Sequence, residues 1–404
     1  MNPAAPPDHL QLDLTWQEPI PPAGVQAAIA LMDSGKLHRY GETGAKPGAA
    51  AALEADFAAE LGTPYCVAMN SCGSTMFAAL RCSGVRPGDK VLSNCFTLAP
   101  VPGAIAHAGA VPVLVDVTED LLIDLDDLRR KAAASGATTL LLSHMRGHIC
   151  DMDALTAVCA EFGIRLIEDG AHTMGAAWNG KATGTWGLAG CFSLQSYKHA
   201  NSGEGGLLVT HDADLAAQAV LLSGSYMLYA SHLARPDAEV FERWKYHTPN
   251  FSLRMGNLPA ALARSQLGDV LRDRCARWNQ RYGWLEAALQ NAPHIRLPLR
   301  PPQEQFVASS LQFTLVNMTR SQMQAAVANC AAGGVHVKWF GADEPVGFTS
   351  VWQHWRFFGQ EQTLPRAQQV LASLCDLRLP LSLSQDDCAA IGHTIRHAVQ
   401  RAAA

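Results

Sequence analysis

The sequence predicts an α/β protein: a large domain built on a parallel sheet covered on both faces, followed by a smaller C-terminal α+β domain. Three observations carry this. Between Tyr65 and Glu168, short and nearly continuous apolar runs alternate with helix-patterned segments, the arrangement that buries a parallel sheet beneath helices on both sides. The length of 404 residues suggests two or three domains. The proline-rich stretch Pro293–Pro302 then shifts the composition, and the strands and helices beyond it read as α+β. The expected division is an N-terminal arm over 1–15, a large domain over 16–270, and a helical linker with a small domain over 271–404.

Taken in order, residues 1–15 read as a loose, proline-rich arm, and Val25–Ser34 has helical spacing. The segment Gly35–Gly44 reads as an exposed loop in which His38, Arg39 and Tyr40 either face a substrate or are solvated. An alanine-rich helix follows over Ala49–Leu61. Strands are expected over Tyr65–Asn70, Lys90–Cys95, Val111–Val117, Thr138–Ser143 and Ile164–Glu168. The intervening helices are Ser74–Leu80, Pro102–Ala108, Asp126–Ala134 and Met152–Phe162. After a strand–turn–strand around Cys191–Thr210 comes a helix over Ala213–Leu222. Gly224–Lys245 is irregular and aromatic. Pro259–Leu271 and Cys275–Leu289 read as helices. The last domain has strands over Ser310–Asn317, Val335–Phe340 and Leu377–Leu381, and helices over Ser321–Ala332, Leu364–Leu374 and Asp386–Ala403.

Composition excludes several classes. Net charge is −5 and no basic block occurs, so neither nucleic acid nor a membrane is an expected partner. The 11 cysteines are scattered and form no C-x-x-C pair, which argues against disulfides or zinc and fits a reducing cytoplasm. The N-terminus lacks the basic and apolar regions of a signal peptide. Val91–Val115 contains no charged side chain, but Pro100, Pro102 and Pro112 suit a strand–turn–helix–strand path rather than a membrane span.

In parallel sheets of this kind, ligands bind outside the carboxyl ends of the strands, so the strand ends are where chemistry is sought. Met69-Asn-Ser-Cys-Gly-Ser-Thr-Met76 runs from a strand through small residues into a helix. A helix N-terminus binds phosphate, and Gly73 allows close approach; many strand–helix turns look the same. Arg165-Leu-Ile-Glu-Asp169-Gly-Ala-His172 ends a strand in two acids. Asp169 either pairs with a protonated ring nitrogen or caps the next turn. In Ser143-His-Met-Arg146, the arginine is either a carboxylate or phosphate clamp or a structural ion pair. His144 and His148 have no metal-specific spacing. Lys198 lies in a polar turn between an apolar strand and Gly203-Glu-Gly-Gly206. It is either a solvated surface lysine or a partly desolvated amine whose lowered pKa makes it a nucleophile.

The ordered set Glu168-Asp169-x-x-His172, Cys191-Phe-Ser193, Lys198 and Gly203-Glu-Gly-Gly206 resembles the DegT/DnrJ/EryC1/StrS family of sugar aminotransferases, from about residue 15 to about 400. These are fold-type I enzymes of pyridoxal 5'-phosphate, and the resemblance implies a mostly parallel seven-stranded sheet sandwiched by helices. It also implies that Lys198 forms a Schiff base with the cofactor, that Asp169 pairs with the pyridinium nitrogen, and that His172 lies near the ring hydroxyl. The Gly73 and Ser74 amides and the Ser193 hydroxyl would hold the phosphate. Leu98 would face the pyridine ring, and Arg146 and Tyr40 the substrate. Implied partners are an amino donor (L-glutamate or L-glutamine), a ketosugar, keto sugar acid or ketocyclitol acceptor, and a second subunit in a homodimer with shared sites.

The chain departs from that pattern in three places. Leu98 stands where relatives carry an aromatic residue. Asn250-Phe-Ser252-Leu-Arg254-Met255 offers two candidates, Asn250 and Ser252, for the asparagine that reaches the neighbouring cofactor phosphate. Leu188 replaces an acid. The same residues also suit an eliminating dehydratase of the aminohydroxybenzoate-synthase type, or a non-catalytic regulatory homologue that binds the cofactor.

Overall fold

The structure is a computed structural model and describes residues 9–41, 47–347, 351–358 and 362–404. Its centre is a seven-stranded sheet. The strands are β1 (Tyr65–Met69), β2 (Lys90–Asn94), β3 (Val111–Val115), β4 (Thr139–Ser143), β5 (Arg165–Asp169), β6 (Ala189–Ser193) and β7 (Gly206–Thr210). They lie in the order β1-β7-β6-β5-β4-β2-β3. The pairs β2–β3, β2–β4, β4–β5 and β5–β6 are parallel; β7 alone runs antiparallel, to both β1 and β6.

The strands lack polar alternation because both faces are covered. Leu92, Leu140, Leu142 and Leu166 join one apolar cluster, whereas Val91, Leu141, Ile167 and Cys191 join the other, as the two-residue period of a strand requires. Local chemistry starts and stops the covering helices. Asp124 accepts hydrogen bonds from the amides of Asp126 and Asp127 to open the helix Leu125–Ser135, and Gly136 closes it with φ 65°.

A four-stranded antiparallel sheet forms the second layer of the molecule: β8 (Ile295–Arg296), β9 (Ser310–Leu315), β10 (Lys338–Trp339) and β11 (Leu374–Arg378), in the order β8-β9-β11-β10. The helices Asp269–Leu289, Arg320–Ala332 and Gln385–Ala403 share its apolar cluster.

Several expectations are corrected. The arm is not loose where it is described: the Leu10 amide donates to Gly333 O at 3.1 Å, and Leu10, Leu12 and Leu14 pack on the small-sheet core. Residues 1–8 and 42–46 lie outside the described residues. The irregular segment 224–245 contains the helix Ala238–Trp244. The break between the two helices that follow falls at Gly268, with φ 63°, so Asp269–Leu289 is one continuous helix. The last strand begins three residues early, at Leu374, because it pairs with both β9 and β10. Val335–Phe340 shortens to Lys338–Trp339.

The loop around Tyr40 is corrected too: it is neither solvated at Arg39 and Tyr40 nor open to the cavity described below. Arg39 Nη2 is 2.8 Å from Glu54 Oε2, and His232 Nδ1 is 3.0 Å from the same oxygen. Glu54 Oε1 accepts the Ala68 amide at 2.8 Å, and Tyr40 Oη is 2.8 Å from His232 Nε2. All four side chains are buried. Glu54 looks like a surface charge in sequence, yet it fastens the helix Ala49–Leu61 to β1. Burial pushes its carboxyl up, but Arg39 and His232 outweigh that and hold it at about 2.

A buried charge deprived of its partner costs about 3–5 kcal/mol. Glu54→Gln is therefore expected to lower unfolding free energy by about that amount at neutral pH, measured in urea. Because the folded pKa is depressed, this stability is full above the ordinary value of 4.5 and is lost as pH falls toward 2. A denaturation midpoint independent of pH below 4.5, identical in both proteins, would contradict this assignment.

Candidate active site

The carboxyl ends of five parallel-running strands, β1, β2, β4, β5 and β6, supply the wall of a cavity of about 920 Å³. Its lining includes Cys72 and Gly73 after β1, Leu98 after β2, Ser143 and Arg146 at the end of β4, Asp169 and His172 at the end of β5, and Ser193 and Lys198 at the end of β6. Trp16 and Glu18 from the N-terminal segment, Arg274 and Trp278, and Arg378 from the small sheet complete it.

Parity separates the two adjacent acids of β5, since successive strand side chains face opposite ways. Glu168 turns away and is consumed by structure: it accepts the amides of Gly184, Trp186 and Gly187 at 2.8–3.1 Å and meets His144 Nε2 at 3.1 Å. Asp169 turns into the cavity. Its Oδ2 accepts the Ser143 hydroxyl at 2.8 Å and its Oδ1 the Ala171 amide at 3.1 Å. These two donors orient the carboxylate.

Lys198 sits in a turn that the chain pins at both sides. Leu194 N donates to Gly205 O at 2.9 Å, Ser196 N to Gly203 O at 3.1 Å and Lys198 N to Gln195 O at 2.8 Å. The glycines are needed for contact with neighbours. A side-chain carbon at Gly206 would stand 2.4 Å from Ser71 O and 2.6 Å from Cys72 N, and one at Gly205 would stand 2.5 Å from Met255 Cε. Glycine therefore lets the return strand lie against the start of the helix Cys72–Cys82. Lys198 Nζ lies 2.9 Å from His172 Nε2. Burial, with Arg146 nearby, brings the amine down to about 8, although Asp169 and Cys72 oppose the shift. Burial and then Lys198 hold His172 well below the ordinary imidazole range, so the ring is neutral and Nε2 accepts the lysine hydrogen.

At the helix N-terminus Ser71 is the N-cap, and its hydroxyl takes the Ser74 amide at 3.0 Å. Ser74 Oγ in turn donates to Asn70 Oδ1 at 2.6 Å. Of the predicted pair, Gly73 lines the cavity and Ser74 does not; the short serine cap competes for that amide. Asn250 and Ser252 also lie outside the cavity. Asn250 Oδ1 accepts the Ser252 amide at 2.9 Å and the Ser252 hydroxyl at 3.2 Å, and Ser252 has φ 59°. Tyr40 is likewise absent from the lining. Arg146 lines the cavity but pairs with Asp376 Oδ2 at 2.6 Å.

Sequence reasoning missed Ser143, Cys72, Tyr197 and Arg378. Ser143 was within reach of the strand-end rule. Arg378 carried no local signal: it enters from β11, more than two hundred residues after β4 in the chain. No cluster of metal-binding side chains exists among the described residues, and no described helix is long and apolar enough to cross a membrane.

The donor set fits pyridoxal phosphate. A carboxylate, an amine of lowered pKa and a helix N-terminus converge on one cavity, matching a ring nitrogen, a carbonyl and a phosphate respectively. Arg146→Met is expected to raise the Lys198 amine from about 8 toward its ordinary 10.5, because a neighbouring cation is lost and Asp376 is left uncompensated. The pH dependence of Lys198 acetylation, followed by peptide mass, measures this. An unmoved midpoint would assign the shift to burial alone.

The model of the DegT/DnrJ/EryC1/StrS aminotransferase family matches residues 23–396. The chain is 30% identical to the spore coat polysaccharide biosynthesis protein SpsC of Bacillus subtilis (strain 168) over 356 residues, 87% of this chain and 89% of the relative. It is 32% identical over 252 residues to the GDP-perosamine synthase of Caulobacter vibrioides, 61% of this chain and 64% of that protein. The crystal structure of 3-amino-5-hydroxybenzoic acid synthase superimposes with a TM-score of 0.82 at 21% identity, covering 96% of this chain and 98% of that one, and so shares the fold.

Proposed function

Because the chain belongs to the DegT/DnrJ/EryC1/StrS aminotransferase family, we propose that it uses pyridoxal 5'-phosphate to move an amino group from L-glutamate or L-glutamine to a ketosugar, keto sugar acid or ketocyclitol. The observation that carries this reading is the opening of Lys198, Asp169 and the N-terminus of the helix Cys72–Cys82 on one cavity.

Lys198 would hold the cofactor covalently and Asp169 would face its ring nitrogen. The Cys72 and Gly73 amides, with the Ser193 hydroxyl, would take the phosphate; His172 and Leu98 would flank the ring. When bound, the cofactor supplies the electron sink that protein side chains lack.

The chain's own residues supply the proton handling. Lys198 is the base that removes the proton from the donor's α-carbon and the acid that returns it. An amine with pKa about 8 is about one-tenth unprotonated at pH 7, against well under a thousandth for an ordinary lysine. The neutral His172 ring, 2.9 Å away, steers Nζ by accepting its hydrogen. Ser143 and the Ala171 amide keep the Asp169 carboxylate aimed. Trp16 and Trp278 give one side of the wall an apolar face.

The protein is also proposed to act as a homodimer with shared sites. Phe251, between Asn250 and Ser252, and Tyr226, joined to Ser252 through Arg254, are both more than half exposed, and exposed large apolar side chains beside polar groups suit an interaction surface. Phe251→Asp is expected to convert a dimer to a monomer in sedimentation and to weaken retention of pyridoxal phosphate. A variant that stays dimeric with unchanged cofactor retention would remove this support.

The central test is the visible absorption of the protein loaded with pyridoxal phosphate. L-glutamate or L-glutamine is expected to convert the pyridoxal form to the pyridoxamine form, and Lys198→Ala to abolish the conversion, a loss of at least about a thousandfold in rate. Conversion that survives Lys198→Ala would overturn the assignment of the base.

A further inference from the structure

The register of the small sheet puts three polar side chains in one row. Asp376 in β11 stands opposite Gln312 in β9 on one side and Lys338 in β10 on the other. Their neighbours Leu311, Phe313, Cys375 and Leu377 turn to the opposite face and build the small-sheet core, as the two-residue period of a strand requires. Asp376 and Gln312 instead meet the turn that follows β4, and both are buried. Polar groups are retained in such a place only at the cost of finding partners for all of them.

The turn after β4 is strained. Arg146 has φ 58° and ψ 21°, and Gly147 after it has φ 79°. A left-handed arginine persists only where its surroundings over-determine it, and here they do. His144 Nε2 meets Glu168 Oε2 at 3.1 Å, and Arg300 Nη1 donates to Gly147 O at 3.1 Å. Arg146 Nη2 donates to Asp376 Oδ2 at 2.6 Å, Gln312 Nε2 donates to Asp376 Oδ1 at 2.7 Å, and His148 Nε2 lies 2.8 Å from Gln312 Oε1. Burial, and then Arg300, hold His148 well below the usual imidazole range, so its ring is neutral and Nε2 donates. His148 thereby fixes which way the Gln312 amide points. Both oxygens of Asp376 are committed, one to Arg146 and one, through Gln312, to His148.

Arg146 also lines the cavity and acts on the amine of Lys198, so where it stands decides how much positive charge that amine meets. We propose that Asp376 is a positioning residue of this site: with Gln312 and His148 it holds Arg146 in its left-handed turn and so sets the charge beside Lys198. Its meaning for catalysis rests on the aminotransferase reading. Other groups face the same amine. Asp169 and Cys72 oppose Arg146, and Arg378 acts with it. His172 is neutral, and so is His199, which burial, then Lys198, push down to about 3. Among the described residues none of these five hydrogen-bonds to Asp376, so a change at Asp376 reaches Lys198 by way of Arg146.

The test follows acetylation of Lys198 and Lys338 against pH by peptide mass, on protein free of pyridoxal phosphate. It compares the wild type with Asp376→Asn, Asp376→Glu and the double variant Arg146→Met/Asp376→Asn. Asp376→Asn removes the charge that cancels Arg146, so the Lys198 midpoint is expected to fall below about 8, an approximately three- to tenfold loss of proton affinity. Lys338, which burial brings to about 8 against the pull of Asp376, should fall with it. Asp376→Glu restores the charge and should return both midpoints toward the wild type. In the double variant Arg146 is gone as well, and the Lys198 midpoint should rise above the wild-type value. Unfolding in urea gives a second reading: the double variant should be more stable than Asp376→Asn, because a buried cation without its partner is worse than no pair. The double variant therefore decides the matter even where Asp376→Asn does not fold. A folded Asp376→Asn whose Lys198 midpoint is unmoved or raised overturns the proposal. So does a double variant that keeps the wild-type midpoint or is no more stable than Asp376→Asn. Failure of Lys198 to take up pyridoxal phosphate would count instead against the aminotransferase reading, and these titrations, made without the cofactor, would still decide the role of Asp376.

Discussion

The arrangement depends on one close backbone approach: the return strand β7 lies against the start of the helix Cys72–Cys82, with Gly206 over Ser71 and Cys72. A side-chain carbon there would sit 2.4 Å from a carbonyl oxygen, so the contact exists only with glycine. Its consequence is topological. β7 is antiparallel within an otherwise parallel sheet, and a hairpin, rather than a long crossover, joins it to β6. That hairpin carries Lys198. The lysine is thereby held at the edge of the sheet where Asp169 and the helix N-terminus already open.

From this constraint the electrostatics follow. The cavity edge gathers positive charges, and burial makes each of them expensive unless it is compensated. The chain compensates two of them with partners far away in sequence: Glu18 for Arg274, and Asp376 for Arg146. Lys198 is compensated less and is held near 8, the range in which an amine exchanges protons readily. The small sheet therefore does more than cap the large one, because β11 delivers both the partner of Arg146 and Arg378, which lines the cavity against the Tyr197 ring.

The buried group around Glu54 works by the same physics to a different end. There one carboxylate satisfies Arg39, His232 and a backbone amide, and the result is rigidity between a helix and β1 rather than reactivity. In sequence the two situations look alike, since a charged residue in an alanine-rich helix reads as solvated and a lysine beside glycines reads as a loop.

By itself the sequence determined the alternation of strands and helices, the strand ends at Ser71–Gly73, Asp169–His172 and Ser193–Lys198, and the family to which their order and spacing belong. These features are local: a two-residue or helical period, a cap, a glycine, a fixed spacing along the chain. Only the tertiary structure decided which of the two β5 acids enters the cavity, that Ser71 claims the Ser74 amide, that Tyr40 is buried against His232, and that Arg146 meets Asp376 while Arg378 lies over the Tyr197 ring. The ion pairs join residues that are distant in the chain, so no period or motif records them. The choice between Glu168 and Asp169 rests on which face of the sheet opens, and the fate of Tyr40 on what packs above it. Each is settled by the cost of leaving a buried polar group without a partner, and that cost is defined only once the surrounding elements have packed.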